Sequence, residues 1–350
     1  FWLLSSGTTG RPKGVIHVHR SIPAACEGYG EAVLGLRPTD VCHATSKIFF
    51  AYGLGASVYL PLAAGASVVL SPEPFDAART WELLARERPS VLFSVPSVYR
   101  ALLDAAPADA PGVTAAVRMA VSAGESLPPA LFDDWRTRFG LEILDGLGST
   151  ELLHVYLSNR PGDVVRGTVG RPVPGYDVRV VGDDGMPVAD GEVGTLHVRG
   201  ATLAERYWRR LEATRRAFAG EWYVSGDRAI RNADGTVRVL GRADDLFKVS
   251  GQWVLPAEVE AVVATVPGVR EAAVVGSENG AGLLEVIACV VPDGSASADE
   301  IDGRVRETAA AGLARYKRPA RIVVLDALPR TATGKLQRSV LRDTIGRMAR

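Results

Sequence analysis

Short apolar runs alternate with segments of helical periodicity through the first part of the chain. The pattern predicts strands at 1–4, 15–18, 67–70, 90–94, 117–122 and 141–144, and helices at 20–34, 77–87, 97–105 and 129–138. The last of these helices has prolines near its start and Gly140 after its end, the usual asymmetry of helix termini. Such alternation favours an α/β fold with a mainly parallel sheet.

The pattern changes after about residue 167. Strand-like runs at 176–181, 194–198 and 236–240 lie among turns, which indicates a β-rich subdomain at about 167–241. The following residues predict a helix, two strands, a helix and a strand, at 256–265, 271–276, 284–291, 299–313 and 320–325. We therefore expect a large domain over 1–241 and a small α+β domain over 242–350.

One uncharged stretch, residues 48–72, is long enough to span a bilayer. Gly65 divides it into a helix-like part, 53–64, and a β-branched run, 66–70. A buried helix followed by a buried strand fits this composition better than a membrane span, which remains the alternative.

Composition narrows the class of protein. The 350 residues carry 40 Lys and Arg and 40 Asp and Glu, so the net charge gives no sign of a nucleic-acid or membrane-surface partner. Three widely spaced cysteines, Cys26, Cys42 and Cys289, indicate reduced thiols in a cytoplasmic protein. The chain has no basic leader segment and does not begin with Met, so we expect a fragment whose beginning is missing.

The stretch Ser5–Gly14, SSGTTGRPKG, has the composition of a loop that binds phosphate. Its glycines allow backbone N–H groups to converge on an anion, while its hydroxyls and Lys13 add donors and charge. A polar surface turn is the alternative. The Walker pattern fails, because Pro12 occupies the second glycine position and Gly14 follows the lysine. Gly334-Lys335 fails too, since Pro329 stands where the first glycine belongs.

Further polar loops follow predicted strands: SAGE at 122–125, DGLGSTE at 145–151, YVSGD at 223–227, GRADDLFKVSG at 241–251 and TATGKLQR at 331–338. As an ordered set they resemble the motifs of the acyl-adenylate-forming (AMP-binding) superfamily. The resemblance covers essentially the whole chain. It implies a large adenylate-forming domain, here without its N-terminal part, with a β-rich subdomain and a mobile C-terminal α+β domain.

The segments KIFFAYGLG at 47–55, DGLGSTELLH at 145–154 and LSNRPGDVVRGTVGRPVPGY at 157–176 resemble benzoate–CoA ligases more narrowly. The superfamily usually has tyrosine at the position of Leu147, whereas the benzoate branch commonly has an aliphatic residue. This resemblance implies that an aromatic acid reacts with ATP to give acyl-AMP, and that the acyl group then passes to CoA.

The resemblance also assigns residues. Thr8, Thr9 and Lys13 would hold the β- and γ-phosphates, Thr150 the α-phosphate, Glu151 the Mg²⁺ and Asp227, with Arg242, the ribose; Lys335 would serve the adenylation step. The full nucleotide-binding set is Ser5, Ser6, Gly7, Thr8, Thr9, Gly10, Lys13, Gly124, Glu125, Asp145, Gly146, Leu147, Gly148, Asp227 and Arg242. Asp244 would be the hinge, and Lys248, Ser250 and Gly251 would face CoA.

The resemblance implies an acyl pocket lined by Ala51, Tyr52, Gly53, Gly124, His154 and Val155, whose small and aromatic side chains suit a benzene ring. Tyr52 and His154 are alternatively core residues. His17, His19, His43 and His197 have no ligand spacing, so we interpret them as structural.

Two other functions remain open: an adenylation module that loads a carrier protein, and a non-catalytic nucleotide-binding fragment. We expect the 350 residues alone to fold poorly or to be inactive. The sequence leaves open the preferred benzoate derivative and the oligomeric state.

Overall fold

The computed structural model describes residues 1–5, 12–280, 282–330 and 336–348. The chain forms two compact units. The first comprises Phe1–Ser225 with Ala229–Val239, and the second comprises Gly226–Arg228 with Leu240–Arg350. The boundaries between the units fall inside two strands, Trp222–Arg231 and Val237–Arg242, so each of these strands has residues in both units.

The strands up to residue 242 are β1 (Trp2–Ser5), β2 (Lys13–Ile16), β3 (Val41–Ala44), β4 (Ser67–Val69), β5 (Val91–Ser94), β6 (Met119–Ser122), β7 (Ile143–Gly148), β8 (Val155–Ser158), β9 (Arg171–Pro172), β10 (Tyr176–Val181), β11 (Val193–Gly200), β12 (Arg206–Tyr207), β13 (Phe218–Ala219), β14 (Trp222–Arg231) and β15 (Val237–Arg242).

The helices of the first unit are α1 (Ser21–Ala25), α2 (Ala51–Leu54), α3 (Leu60–Ala63), α4 (Ala77–Glu87), α5 (Pro96–Asp104), α6 (Ala110–Thr114), α7 (Pro129–Phe139) and α8 (Leu211–Ala217). Two π-helical turns, Cys26–Glu31 and Gly55–Tyr59, continue α1 and α2, and Thr150–Leu152 forms a 3₁₀ turn. The helix predicted at 20–34 therefore ends at Glu31, and it changes from an α-helix to a π-helix at Cys26.

A seven-stranded sheet in the order β4-β3-β5-β6-β7-β8-β9 forms the centre of the first unit. The pairs from β4 to β7 are parallel, and β8 and β9 are antiparallel additions. Every residue of β5 and β6 is buried, as expected for parallel strands covered on both faces. The predicted α/β fold with a mainly parallel sheet is confirmed.

The sheet separates two hydrophobic cores. Alternate residues of β5 point to opposite sides: Val91 and Phe93 join a core with Tyr29 and Leu60, and Leu92 joins one with Trp135. The helical part of the uncharged stretch packs in the first of these cores. No helix among the described residues is long and apolar enough to cross a bilayer.

Two smaller sheets complete the first unit. One has the order β10-β11-β14-β13 with β15 beside β14, which corresponds to the predicted β-rich subdomain. The other has the order β1-β2-β12 and includes both strands that flank the predicted phosphate loop. The sequence pattern did not predict strands β3 and β8 or helix α6, whose sequences are VCHA, VYLS and APGVT.

The second unit contains β16 (Phe247–Val249), β17 (Gln252–Val254), α9 (Pro256–Val263), β18 (Val269–Glu278), β19 (Leu284–Pro292), α10 (Ala298–Gly312), a 3₁₀ turn at Arg315–Lys317, β20 (Arg321–Val324) and α11 (Arg338–Met348). Strands β18, β19 and β20 form a sheet with separate apolar clusters on its two faces. Ser297 and Glu300 form a capping box at the start of α10. The sequence pattern did not predict α11 or the β16–β17 hairpin.

Candidate active site

Three neighbouring parallel strands of the large sheet end in polar side chains. Ser94 of β5, Ser122 of β6 and Asp145 of β7 are paired in register. Ligands of open α/β sheets bind outside the carboxyl ends of the strands. The predicted nucleotide and acyl residues that follow β6 and β7 therefore start from one edge of the sheet.

Asp145 is a buried carboxyl group on that edge. Burial raises its pKa to about 8, and the neighbouring polar groups, among them the backbone of Gly146, oppose the rise only in part. The side chain is therefore largely protonated at neutral pH and can donate a hydrogen bond as well as accept one.

The glycines of the predicted adenine segment 145–148 lie against neighbouring backbone. A Cβ on Gly146 would lie 2.9 Å from the carbonyl oxygen of Leu157, and one on Gly148 would lie 2.6 Å from that of His154. Leu147 is half-buried between them. These glycines let β7 and the turn after it approach β8 closely.

The SAGE turn after β6 is fixed to the start of α5. Gly124 has a φ of +93°, and the Glu125 carboxylate accepts hydrogen bonds from the backbone N–H of Ser97 at 3.0 Å and from its hydroxyl at 3.1 Å. A carboxylate at a helix start is favourable because the first N–H groups of the helix lack internal partners.

The predicted phosphate loop connects an antiparallel hairpin. Ser5 at the end of β1 pairs with Lys13 at the start of β2. The pairing brings both ends of the loop together and fixes where Lys13 leaves it. The predicted binding residues Ser6, Gly7, Thr8, Thr9 and Gly10 lie outside the described residues.

Thr150 and Glu151 lie in a tight turn after β7. The Ser149 hydroxyl accepts from the N–H of Leu152, and the carbonyl of Leu152 accepts from the N–H of His154 at 2.8 Å. Between them, Leu153 has φ +67° and ψ −46°, a γ-turn geometry that is strained for a branched side chain. This reversal separates the predicted α-phosphate and metal residues from the predicted acyl residue His154.

Residues from the segments that follow β2 and β11 hold this turn through its carbonyl groups. His17 Nε2 lies 2.7 Å from the carbonyl oxygen of Thr150, and the N–H of Ala204 donates to that of Glu151 at 2.9 Å. The Thr202 hydroxyl donates to the carbonyl of Leu152 at 2.8 Å. Burial lowers the pKa of His17, although its bond to Thr150 opposes this. The neutral imidazole therefore donates from Nε2, as the structural interpretation of His17 requires.

The Glu151 carboxylate is buried, and its Oε1 accepts a hydrogen bond from the Tyr207 hydroxyl at 2.7 Å. The described residues contain no group of three or more His, Cys, Asp or Glu side chains that could hold a metal ion. Mg²⁺ that arrives with a nucleotide needs only one or two carboxylates beside the phosphate oxygens. The hard oxygens of Glu151 and Thr150 fit such an ion.

His154 lies within a group of three tyrosines. Its ring centroid is 5.5 Å from that of Tyr52, 5.3 Å from that of Tyr29 and 6.1 Å from that of Tyr59. Burial lowers its pKa to about 4, and Nε2 lies 3.2 Å from the carbonyl oxygen of Tyr52. The ring is therefore neutral at physiological pH and donates from Nε2, so Nδ1 is an acceptor, which has no partner among the described residues.

The other predicted acyl residues adjoin this group. Ala51 and Gly53 share α2 with Tyr52, whose hydroxyl donates to the carbonyl of Val121 at 3.1 Å. A Cβ on Gly53 would lie 2.1 Å from the carbonyl oxygen of Lys47. Val155 begins β8 and is buried in the core. These contacts bring an aromatic group to the same sheet edge as the Thr150–Glu151 turn.

In the second unit, the predicted ribose residues are neighbours. Arg242 Nη1 lies 3.4 Å from Asp227 Oδ1. Gly226, with a φ of +74°, allows this approach, because a Cβ there would lie 2.8 Å from Arg242 Nη2.

The predicted hinge is bonded to α11. Arg342 donates to the carbonyl of Asp244 at 3.3 Å, and the Asp245 carboxylate lies 3.7 Å from Arg338 and 3.8 Å from Arg342. Arg338 Nη2 also donates to both carboxylate oxygens of Glu260, at 2.7 and 2.8 Å. The hinge segment is thus connected to the helix that follows the predicted adenylation loop. Lys335 itself lies outside the described residues.

The predicted CoA-facing residues form the β16–β17 hairpin. Val249 pairs with Gln252, so Ser250 and Gly251 are a two-residue turn, with φ values of +50° and +78°. Positive φ at both positions is typical of a type I′ turn. Lys248 Nζ lies 4.6 Å from the ring centroid of the half-exposed Trp253.

Sequence reasoning missed four contributors to the first-unit site: Tyr29, Tyr59, Tyr207 and the bond that His17 makes to Thr150. Tyr29 and Tyr59 lie in π-helical turns and Tyr207 lies in a two-residue strand, where a buried aromatic residue is ordinarily core packing. Their local sequences carry no signal that distinguishes them from core residues.

Comparison with known proteins gives a consistent result. The family model described as AMP-binding enzyme matches residues 1–208, and the model described as AMP-binding enzyme C-terminal domain matches 258–335. The chain is 43% identical over 99% of its length to a 4-hydroxybenzoate–CoA/benzoate–CoA ligase of Rhodopseudomonas palustris. It is also 43% identical, over 98% of its length, to a benzoate–CoA ligase of Thauera aromatica. It spans 65% of the length of each of these relatives.

A crystal structure of the anthranilate CoA ligase AuaEII in complex with anthranoyl-AMP is similar with a TM-score of 0.92 and 37% identity. The similarity covers 99% of this chain and 67% of that one.

Proposed function

The chain belongs to the AMP-binding enzyme family. We therefore propose that the full-length protein activates an aromatic carboxylic acid with ATP and transfers the acyl group to CoA. The names of its relatives support benzoate or a substituted benzoate as the acid. The observation that carries the proposal is the short connection between Glu151 and His154. A γ-turn at Leu153 connects the Thr150–Glu151 turn directly to His154 and its tyrosines.

The first half-reaction brings two anions together, because the carboxylate attacks the α-phosphate of ATP. Preorganised donors and cations must therefore offset the charge that accumulates. We assign Lys13 and the loop residues Thr8 and Thr9 to the β- and γ-phosphates, and Thr150 to the α-phosphate. Glu151 would hold Mg²⁺, which when bound neutralises phosphate charge.

Asp145 contributes a polar contact for the adenine, beside the aliphatic side chain of Leu147. Its raised pKa favours a neutral carboxyl group next to the polyanion, which avoids adding a negative charge to the site. The group of Tyr52 and His154 offers aromatic faces to the ring of the acid, beside the small side chain of Ala51. Gly53 would serve this pocket by letting α2 pack against the Lys47 backbone.

In the second unit, Asp227 and Arg242 would take the ribose, and Lys335 would approach the reacting oxygens during adenylation. We propose 1–241 and 242–350 as the domains, with Asp244 as the hinge about which the smaller one turns between half-reactions. The hairpin with Lys248, Ser250 and Gly251 would then serve CoA. The free thiols of Cys26, Cys42 and Cys289 support a reducing, cytoplasmic location.

The test uses the full-length protein with ATP, Mg²⁺, CoA and a panel of benzoates, cinnamates and short fatty acids, and measures acyl-AMP and acyl-CoA separately. We expect acyl-CoA from benzoates. Lys335→Ala should lose acyl-AMP formation by about 10²–10³-fold, the usual cost of removing a group that stabilises transition-state charge.

Lys248→Ala is the matched lysine variant and should retain acyl-AMP formation, because its proposed contact is with CoA. Acyl-AMP without acyl-CoA in the unmodified protein would identify a different acceptor, such as a carrier protein. Absence of adenylation with every acid would leave only nucleotide binding.

A further inference from the structure

Tyr207 connects two residues that the proposed function places at the metal and phosphate end of the nucleotide. Its hydroxyl donates to Glu151, and the Lys13 ammonium lies over the face of its ring. We propose that Tyr207 is a positioning residue, which holds the Glu151 carboxylate for a divalent cation and the Lys13 ammonium for phosphate. The inference rests on the proposed function and adds a residue to it.

The bond to Glu151 is short and shielded from water. The phenol oxygen lies 2.7 Å from Oε1, with Tyr207 4% and Glu151 7% exposed. An ionised carboxylate only accepts hydrogen bonds, so the phenol is the donor. Charge-assisted bonds of this kind are stronger than neutral ones, and a buried carboxylate requires such a partner. A phenol bonded to one carboxylate oxygen leaves the second oxygen as a metal ligand.

The ring of Tyr207 also contacts the strand that leaves the phosphate loop. Lys13 Nζ lies 4.6 Å from the ring centroid, within the range of a cation–π interaction. This interaction restrains a long, flexible side chain whose ammonium group would otherwise sample many rotamers. One aromatic side chain thus restrains a cation and an anion that are separated by more than a hundred residues in the chain.

Tyr207 is itself rigidly held. It lies on β12, where it pairs with Val15, and the next residue donates its N–H to the carbonyl of Gly14 at 2.8 Å. Phe218 packs against the ring edge, with centroids 5.4 Å apart. Because β12 extends the β1–β2 hairpin, Tyr207 connects that hairpin to the Glu151 turn.

A purely structural role for Tyr207 predicts something different from positioning. The ring belongs to a small core cluster with Val15 and Ala204, which Tyr207→Phe retains together with the contact to Lys13. That variant removes only the hydroxyl. A structural tyrosine would lose thermal stability without a selective effect on the metal, whereas a positioning tyrosine would change the response to the metal.

The experiment measures ATP binding to the full-length protein by calorimetry over a range of Mg²⁺ concentrations, without any aromatic acid. Mg²⁺ should increase the affinity for ATP, and the measured quantity is the Mg²⁺ concentration at half of this increase. We expect Tyr207→Phe to raise that concentration about tenfold, as for other residues that orient metal ligands. ATP affinity without Mg²⁺ should stay within about twofold, because the Lys13 contact remains. Tyr207→Leu should weaken ATP binding without Mg²⁺ as well.

The matched control is Tyr99→Phe, which removes another buried hydroxyl, bonded to the carbonyls of Leu92 and Val121. It should leave the Mg²⁺ response unchanged. In a Glu151→Gln background, Tyr207→Phe should add no further change, because the charged acceptor is already absent. An unchanged Mg²⁺ response in Tyr207→Phe, or an equal shift in Tyr99→Phe, would overturn the proposal.

This assay separates the inference from the proposed function, because it needs neither an aromatic acid nor CoA. A protein that binds MgATP but activates no acid would refute the function and leave the Tyr207 result intact. If Tyr207→Phe does not fold, Glu151→Gln can still overturn the proposal, which requires this variant to shift the Mg²⁺ response. If Glu151 takes no part in Mg²⁺ binding, Tyr207 has no metal ligand to position.

Discussion

The imidazole of His154 packs against Gly55 so closely that a Cβ on this glycine would lie 2.2 Å from its Cδ2 atom. The same Cβ would lie 2.7 Å from the Tyr59 hydroxyl oxygen. Gly55 begins the π-helical turn after α2, so a residue outside the predicted site determines where the predicted acyl histidine can lie.

Gly55→Ala should therefore displace His154 from its tyrosines. Overpacking of this kind costs about 1–3 kcal/mol, so we expect the KM for the aromatic acid to rise by about tenfold or more. The KM for ATP should change little, because the nucleotide residues lie on other loops. The measurement is steady-state formation of acyl-AMP with each substrate varied in turn.

Gly303→Ala is the control, since Gly303 lies in α10 and a Cβ there meets nothing within 4 Å. It should leave both KM values unchanged and stabilise the helix by about 0.5–1 kcal/mol. An unchanged KM for the acid in Gly55→Ala would contradict the role given to His154.

Asp145 should make the protein less stable as the pH rises. Burial raises its pKa from 3.8 in the unfolded chain to about 8 in the folded protein. Between pH 3.8 and about 8 the folded protein therefore binds more protons than the unfolded chain. The free energy of unfolding then falls with pH, with a slope approaching about 1.4 kcal/mol per unit, and levels off above about pH 8.

Asp145→Asn imitates the protonated carboxyl group. Urea unfolding should give equal stability for variant and parent near pH 4, and a more stable variant at pH 8.5. ATP binding at neutral pH should be retained. A variant that is less stable at pH 8.5 would show that the carboxyl is ionised in the folded protein.

Asp40 should have the opposite effect in a different pH range. Burial opposes its ionisation, but hydrogen bonds from Arg118, Ser90 and the N–H of Arg37 outweigh burial and lower the pKa to about 2. Above pH 4 the ionised carboxylate therefore contributes about 2–3 kcal/mol to the free energy of unfolding. This contribution is lost as the pH falls through about 2.

Asp40→Asn should lower the free energy of unfolding at pH 7 by about that amount, and its difference from the parent should shrink towards pH 2. Asp109→Asn, at an exposed position without a side-chain cap bond, is the comparison and should be neutral. A pH-independent deficit in Asp40→Asn would mean that lost packing, not charge, is responsible.

Arg338 should stabilise the second unit through its pair with Glu260. The two side chains are 21% and 17% exposed, so Arg338→Gln leaves a mostly buried carboxylate without its partner. We expect the free energy of unfolding to fall by about 2–4 kcal/mol, somewhat less than when one partner of a fully buried ion pair is removed. Faster amide exchange in α9 and α11 would locate the loss.

Arg347→Gln provides the control, because Arg347 is exposed on the same helix and, within the described part of the chain, bonds only to Thr344, at 3.4 Å. Its effect should stay below about 0.5 kcal/mol. Equal destabilisation by both variants would show that helix α11 responds to charge in general and not to the pair with Glu260.

Much of the fold follows from local pattern. The runs of β5 and β6 are apolar except for their final serines, which is typical of buried parallel strands. The motif loops were identified because glycines and hydroxyls cluster directly after these strands. Strand β3 and helix α6 were missed because a histidine interrupts the apolar run of VCHA and because Pro and Gly in APGVT are poor helix formers.

The sequence by itself located the motif loops, because composition and spacing are local properties, and their resemblance to the AMP-binding superfamily supplied the chemistry predicted for them. Only the tertiary structure decided that Tyr207 bonds to Glu151, that His154 lies among three tyrosines and that Gly55 makes room for it. These contacts join residues far apart in the chain. Their partners are chosen by strand order and packing, which no local pattern encodes.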